Sequence, residues 1–277
     1  MPNPLPRLGP RLYAGGVGYI HQDPTNPDRL IKKFKQPLTG TSADRIRRLH
    51  AVSQWARPSD RLIFTSRFSW PIELFGTDAR IDGFSMRLAP DPCWFELTVA
   101  GVTKRRVLAL SYLSNSSYWQ RRAVQSAPPD LSPPQRRELT VDIIEAITAL
   151  HRYGLVYGDI STNNACARLG ETPSVLFFDT DSIGLPLEVE AARVRTADWE
   201  APDTLDMTGR DCALVATLVW RILSEESLSY PTVGANVQLD TVGAGLVTPL
   251  LAATYQTGDS EILAEALNRL RGLRDNP

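Results

Sequence analysis

Asp159 and Asn164 stand five positions apart in the polar stretch YGDISTNN, and fifteen residues further on the apolar run VLFF (175–178) ends in Asp179. Two carboxylates and a carboxamide, each where an ordered element gives way to loop, suit divalent-metal and phosphate chemistry. Mg2+ takes a few oxygen ligands from protein and leaves the others to substrate phosphates. A free carboxylate at such a place can also orient an attacking hydroxyl and accept its proton. Lysine usage adds a second signal. Of 30 basic residues 26 are Arg and four are Lys, and three of the four are Lys32, Lys33 and Lys35. This cluster reads either as a solvated strand end or as a local need for an amine. Gly15, Gly16 and Gly18, in YAGGVGYI, form a turn. Backbone without side chains can lie close over phosphates, and an ordinary glycine turn is the other reading.

The elements around these residues follow from periodicity. YAGGVGYI (13–20) reads as two short strands about the glycines, DPTNPD (23–28) as a turn and RLIKKF (29–34) as a strand. Ser42 is a candidate N-cap for a helix whose apolar stripe is Ile46, Leu49 and Val52. RLIFT (61–65), WPIELF (70–75) and IDGFSMRL (81–88) read as strands, with TDARIDG (77–83) as a hairpin signal. Residues 114–134, rich in Ser, Pro and Arg, read as a connector. The stretch 138–154 reads as a helix with Leu139, Ile143, Ile147 and Leu150 on one face and Gly154 as its stop. Residues 210–223 are apolar nearly all round, which predicts a buried helix, and 241–273 predicts two or more helices. A strand-rich first part and a helix-rich second part predict an α+β plan with a boundary near 88–92.

Composition narrows the function classes. The chain has 277 residues, 43% hydrophobic and 22% charged, enough for a substantial core and unlike a disordered chain. The formal net charge of −1 gives no bulk attraction to a polyanion, so no nucleic-acid partner is expected. No apolar run is long enough for a membrane span, and the N-terminal MPNPLPRLGPRLY has no apolar segment of a secretory signal. Cys93, Cys166 and Cys212 are widely separated, unlike a disulfide framework or a zinc site. A cytoplasmic protein with no membrane partner is expected.

The constellation resembles the protein-kinase fold. Tyr157-Gly158-Asp159-Ile160-Ser161-Thr162-Asn163-Asn164 matches the Asp and Asn of the catalytic-loop pattern H-R-D-x-x-x-x-N, and Asp179 matches the first residue of D-F-G. Gly15, Gly18 and Ile20 fit the tail of the glycine-rich loop, with Tyr13 where its first glycine would be. Leu30-Ile31-Lys32-Lys33 resembles the V-A-I-K strand, with Lys32 preferred and Lys33 as the fallback. Trp199-Glu200-Ala201-Pro202-Asp203 resembles A-P-E, and Trp70-Pro71 before the hinge looks like a bacterial kinase-like subgroup.

The resemblance covers about residues 11–225. It implies one domain: a strand-rich N-lobe (about 11–88), a hinge (about 86–92) and a helical C-lobe (about 93–273) with a shortened C-terminus. It implies an ATP- and Mg2+- or Mn2+-dependent phosphotransferase acting on a Ser or Thr hydroxyl of a protein. Asp159 would orient the acceptor and Lys32 would hold the α- and β-phosphates. Gly15, Gly16, Gly18, Ile20, Met86 and Leu88 would surround the nucleotide, with adenine at the hinge. Asn164 and Asp179 would hold the metals, and Asp211 would hold the catalytic loop's backbone.

The sequence departs from the family at several places. Gly158 replaces the Arg of the catalytic loop. Asp181 replaces the D-F-G glycine and is either a further metal ligand or a turn cap. The helix Glu that should pair with the lysine is missing. Asp44 and, less well placed, Glu73 are the candidates for that acid, and Asp44 alternatively serves the helix dipole. These departures leave two other readings: a pseudokinase acting as a nucleotide-binding regulatory or scaffold module, and a small-molecule kinase.

Overall fold

The computed structural model describes residues 3–116, 118, 119, 126–191, 196–226, 228–232 and 241–273. The first half is built on an antiparallel sheet. Strands β1 (Arg11–Ala14), β2 (Gly18–Gln22), β3 (Arg29–Thr39), β4 (Glu73–Gly76) and β5 (Arg80–Arg87) lie in the order β1-β2-β3-β5-β4. Lys32 pairs with Ile20 on one side and Phe84 on the other. The β4–β5 hairpin forms where TDARIDG places it, closed by Thr77 and Arg80.

Between β3 and β4 run α1 (Gly40–Trp55) and α2 (Pro58–Arg67). Helix α1 begins two residues before the expected cap: Thr39 is its N-cap and Ser42 lies inside it. Its expected stripe is correct, with Ile46, Leu49 and Val52 buried together with Ala43. The strand expected at 61–65 is wrong. Those residues belong to α2, which starts with Pro58 in its first turn and turns Asp60 and Phe64 inward, one helical turn apart. Buried Asp60 accepts from the Tyr153 hydroxyl at 2.9 Å and pairs with Arg57 at 3.0 Å and with Arg152. These contacts hold the helix where three contiguous apolar residues alone suggest a strand.

The sheet ends at Arg87, near the expected boundary. A 3-10 turn at Asp91–Cys93 follows, then a hairpin of β6 (Trp94–Val99) and β7 (Val102–Val107) that the sequence reading did not anticipate. The short α3 (Leu110–Leu113) ends just before the segment expected as a connector, 114–134, of which residues 117 and 120–125 lie outside the described residues. Helix α4 (Pro133–His151) starts five residues earlier than expected. Ser132 and Gln135 form a reciprocal capping box there, worth about 1 kcal/mol. It ends at His151, three residues before Gly154.

A second hairpin, β8 (Ala165–Arg168) with β9 (Ser174–Phe177), precedes a 3-10 turn at Thr180–Ser182 and α5 (Pro186–Ala191). Helix α6 (Met207–Ser224) is buried on nearly every side, as its composition requires. Asp206 caps it through the Gly209 N–H at 2.7 Å. The tail folds as α7 (Thr241–Thr257) and α8 (Ser260–Gly272). One apolar cluster runs from Phe34 and Ile46 through Phe68, Ile143 and Val219 to Leu270, so sheet and helices share a core. The chain is thus a mixed α/β fold with an antiparallel sheet and several helices. Among the described residues no helix is long and apolar enough to cross a membrane.

Candidate functional site

A cavity of about 360 Å³ lies against the glycine turn, and its walls include Gly15, Gly16, Gly18, Ile20, Lys32, Asp159, Asp179 and Asp181. Residues far apart in sequence meet here because strand β3, the loop after α4 and the segment after β9 come together at it.

Strand β3 supplies the lysine. Lys32 is 5% exposed, whereas Lys33, on the other face of the strand, is exposed. This alternation settles which of the two enters the cavity. The Lys32 Nζ donates to Asp179 Oδ1 at 2.8 Å and makes a closer contact to Asp181 Oδ1. Burial pulls its pKa down, but the charges of Asp181 and Asp179 outweigh that and raise it above its ordinary value. Asp181 is buried in the 3-10 turn and is a partner of this lysine. Asp44 is not: it pairs with Arg47 at 2.8 Å on the exposed side of α1, in the helix's second turn, outside the reach expected of a dipole effect. Glu73 bonds Asn3 and pairs with Arg29. The acid for Lys32 therefore comes from the loop after β9 and not from the helix.

The loop after α4 supplies Asp159 and Asn164. Asp211, fully buried on α6, accepts the backbone N–H of Tyr157 at 2.5 Å and of Gly158 at 2.9 Å, the role expected for it. Gly158 has φ +83°, and a Cβ there would stand 2.3 Å from Val189 Cγ1. Any side chain here would be strained by this conformation and would displace this neighbour. The buried Tyr157 hydroxyl donates to the Phe178 carbonyl, which ties this loop to the end of β9. Asp179, the next residue, takes the left-handed conformation (φ 48°) and turns into the cavity with its side chain 58% exposed. The Phe68 and Phe177 rings stack at 5.3 Å, and Ser69 N–H donates to the Phe177 carbonyl at 2.8 Å. These contacts join β9 to the chain leaving α2.

Asp159 is oriented from both sides. Asn164 Nδ2 donates to its Oδ2 at 2.7 Å and to its backbone carbonyl at 2.8 Å. The Thr196 hydroxyl donates to its Oδ1 at 2.7 Å. Burial pushes the Asp159 carboxyl above the usual aspartate range and the charge of Asp179 adds to this, against the pull of the two side-chain bonds. Thr196 is 37 residues from Asp159, with no periodicity to connect them, and the sequence reading missed it.

Met86 and Leu88 do not line this cavity. Met86 is 9% exposed within the main core, opposite Leu30, and the Leu88 N–H donates to the Asp28 carbonyl at 2.9 Å. Among the described residues no group of three or more His, Cys, Asp or Glu side chains is arranged to hold a metal ion. Asn164 is not among the cavity's lining residues and its amide is bonded to Asp159. The cavity fits Mg2+ or Mn2+ only as an ion shared with phosphate: Asp179 is a hard donor there, and the Asn164 amide oxygen is a further one that its loop offers, too few for a closed site. No family model and no curated protein matches the chain.

Proposed function

We propose that the chain is a protein-kinase-like, ATP-dependent phosphotransferase, with the bilobal arrangement of that fold and a protein Ser or Thr hydroxyl as acceptor. One observation carries the reading. A carboxylate in a cavity with a glycine turn and a lysine already accepts a bond from an aliphatic hydroxyl at 2.7 Å, the contact an acceptor would make in place of Thr196. The cavity volume falls within the range of small-molecule sites. Asp159 would orient the acceptor hydroxyl and take its proton. Asn164 holds Asp159 in place by bonds to both its carboxylate and its carbonyl. Lys32 would meet the nucleotide phosphates as a point charge. Asp179 and Asn164 would hold Mg2+ or Mn2+, which when bound neutralises charge on the phosphates.

A second reading, a nucleotide-binding module without transfer, is favoured by the two carboxylates that already occupy Lys32. A γ-labelled ATP assay with Mg2+ or Mn2+ separates the two. Self-phosphorylation, a basic protein and a metabolite pool serve as acceptors for wild type, Asp159→Asn and Asp179→Asn. Label on protein that falls at least about 100-fold in both variants is expected. Label on a metabolite alone would move the chain to the small-molecule kinases. Nucleotide binding with no transfer would select the second reading, and neither binding nor transfer would overturn both.

A further inference from the structure

Three arginines, Arg45, Arg47 and Arg48, crowd the second and third turns of α1, and two of them are occupied. Arg47 pairs with Asp44 and donates to the Asp78 carbonyl at 2.7 Å. Arg48 grips both oxygens of Glu188, at 2.8 and 2.7 Å. Arg45 differs. Its side chain lines the cavity beside Lys32, Asp179 and Asp181, and its Nε is buried with no hydrogen-bond partner among the described residues. Glu188 feels its charge, but that carboxylate is already taken by Arg48 and by the Leu185 N–H at 3.0 Å.

The path of this side chain is built into the fold. A Cβ on Gly184 would stand 2.7 Å from Arg45 Cδ, so the arginine stem passes close over the Gly184 backbone, and a side chain there would displace it. A guanidinium so placed, with a buried donor unused, is costly unless something accepts from it.

The charge balance says what that acceptor is. Three carboxylates line the cavity, Asp159, Asp179 and Asp181, and Lys32 is neutralised by two of them. A polyphosphate entering there meets net negative charge from the protein. Arg45 is the cation on the cavity wall that no carboxylate pairs among the described residues. We infer that Arg45 is a phosphate-binding residue, donating from its guanidinium to the polyphosphate chain of the nucleotide. The helix that the resemblance expects to carry an acid instead presents a cation, while the acid sits at Asp181. The inference rests on the nucleotide reading above and assigns to that site a contact the resemblance does not supply. Guanidinium suits the task because its planar donors can hold two phosphate oxygens at once.

Calorimetric titration tests it, using Mg-ATP, tripolyphosphate and adenosine against wild type, Arg45→Gln and Arg45→Lys. Arg45→Gln should weaken ATP and tripolyphosphate by roughly tenfold or more. Adenosine should bind all three proteins alike, which also reports that the variants fold. Arg45→Lys should fall between the other two. Unchanged ATP affinity in Arg45→Gln would overturn the assignment and leave the nucleotide site standing. Equal loss for ATP and adenosine would make Arg45 a structural residue and overturn it too. Failure of wild type to bind ATP would overturn the nucleotide reading and the assignment with it.

Discussion

Asp159 combines burial with two directed hydrogen bonds, and its proton affinity reflects the contest between them. Burial, with the charge of Asp179, raises its pKa above the ordinary value of 3.8, while the bonds from Thr196 and Asn164 lower it. In the proposed reaction the carboxylate must be ionised to accept a proton. Activity is therefore present above the raised pKa and lost as pH falls through it. Thr196→Val deletes a bond that favours the ionised form, so the acid limb of kcat/KM should move to higher pH. A pH profile of both proteins checks this. A limb that stays in place would mean that Thr196 does not tune Asp159.

At the scale of elements, the loop that carries Asp159 depends on α6. Asp211 is fully buried and takes two backbone N–H groups from Tyr157 and Gly158. Asp211→Ala leaves the buried Tyr157 N–H and the half-buried Gly158 N–H without an acceptor, at a cost of about 3 kcal/mol. Urea unfolding of the variant should show that loss. A difference below about 1 kcal/mol would mean that solvent replaces the carboxylate. The same dependence explains the sequence pattern: α6 could be read from its composition, and so could Asp211 once the resemblance was drawn. The contrasting error is α2. Its contiguous apolar residues fit a strand, and what decides for a helix is Asp60 reaching Arg57, Arg152 and Tyr153, the last two on the chain that leaves α4. A local window contains no trace of partners more than 90 residues away.

Across the whole molecule, Lys32 links the sheet to the segment after β9 through Asp179 and Asp181. Removing the lysine strands the buried Asp181 carboxylate, so Lys32→Met should cost about 3 kcal/mol. For a chain of this size that is a Tm drop of roughly 5 °C. The double variant Lys32→Met with Asp181→Asn should recover most of it, because no buried charge is then left unpaired. Scanning calorimetry of the single and double variants measures both. A double variant no more stable than the single would show that Lys32 acts through packing alone.

By itself the sequence determined the elements whose residues repeat with helical or strand period: the sheet strands, the stripe of α1, the buried α6. It also determined the chemical inventory, Asp159, Asn164, Asp179 and the clustered lysines, because residue type and spacing are local properties. Tertiary structure alone decided which residues meet. It placed Lys32 in the cavity and Lys33 outside it, supplied the lysine's acid from Asp181 and not Asp44, brought Thr196 onto Asp159 and left Arg45 on the cavity wall. It put Met86 into the core, away from that wall. The physical reason is common to all of these. Charge pairing and burial are set by distances between segments widely separated along the chain, and periodicity within one segment carries no record of them.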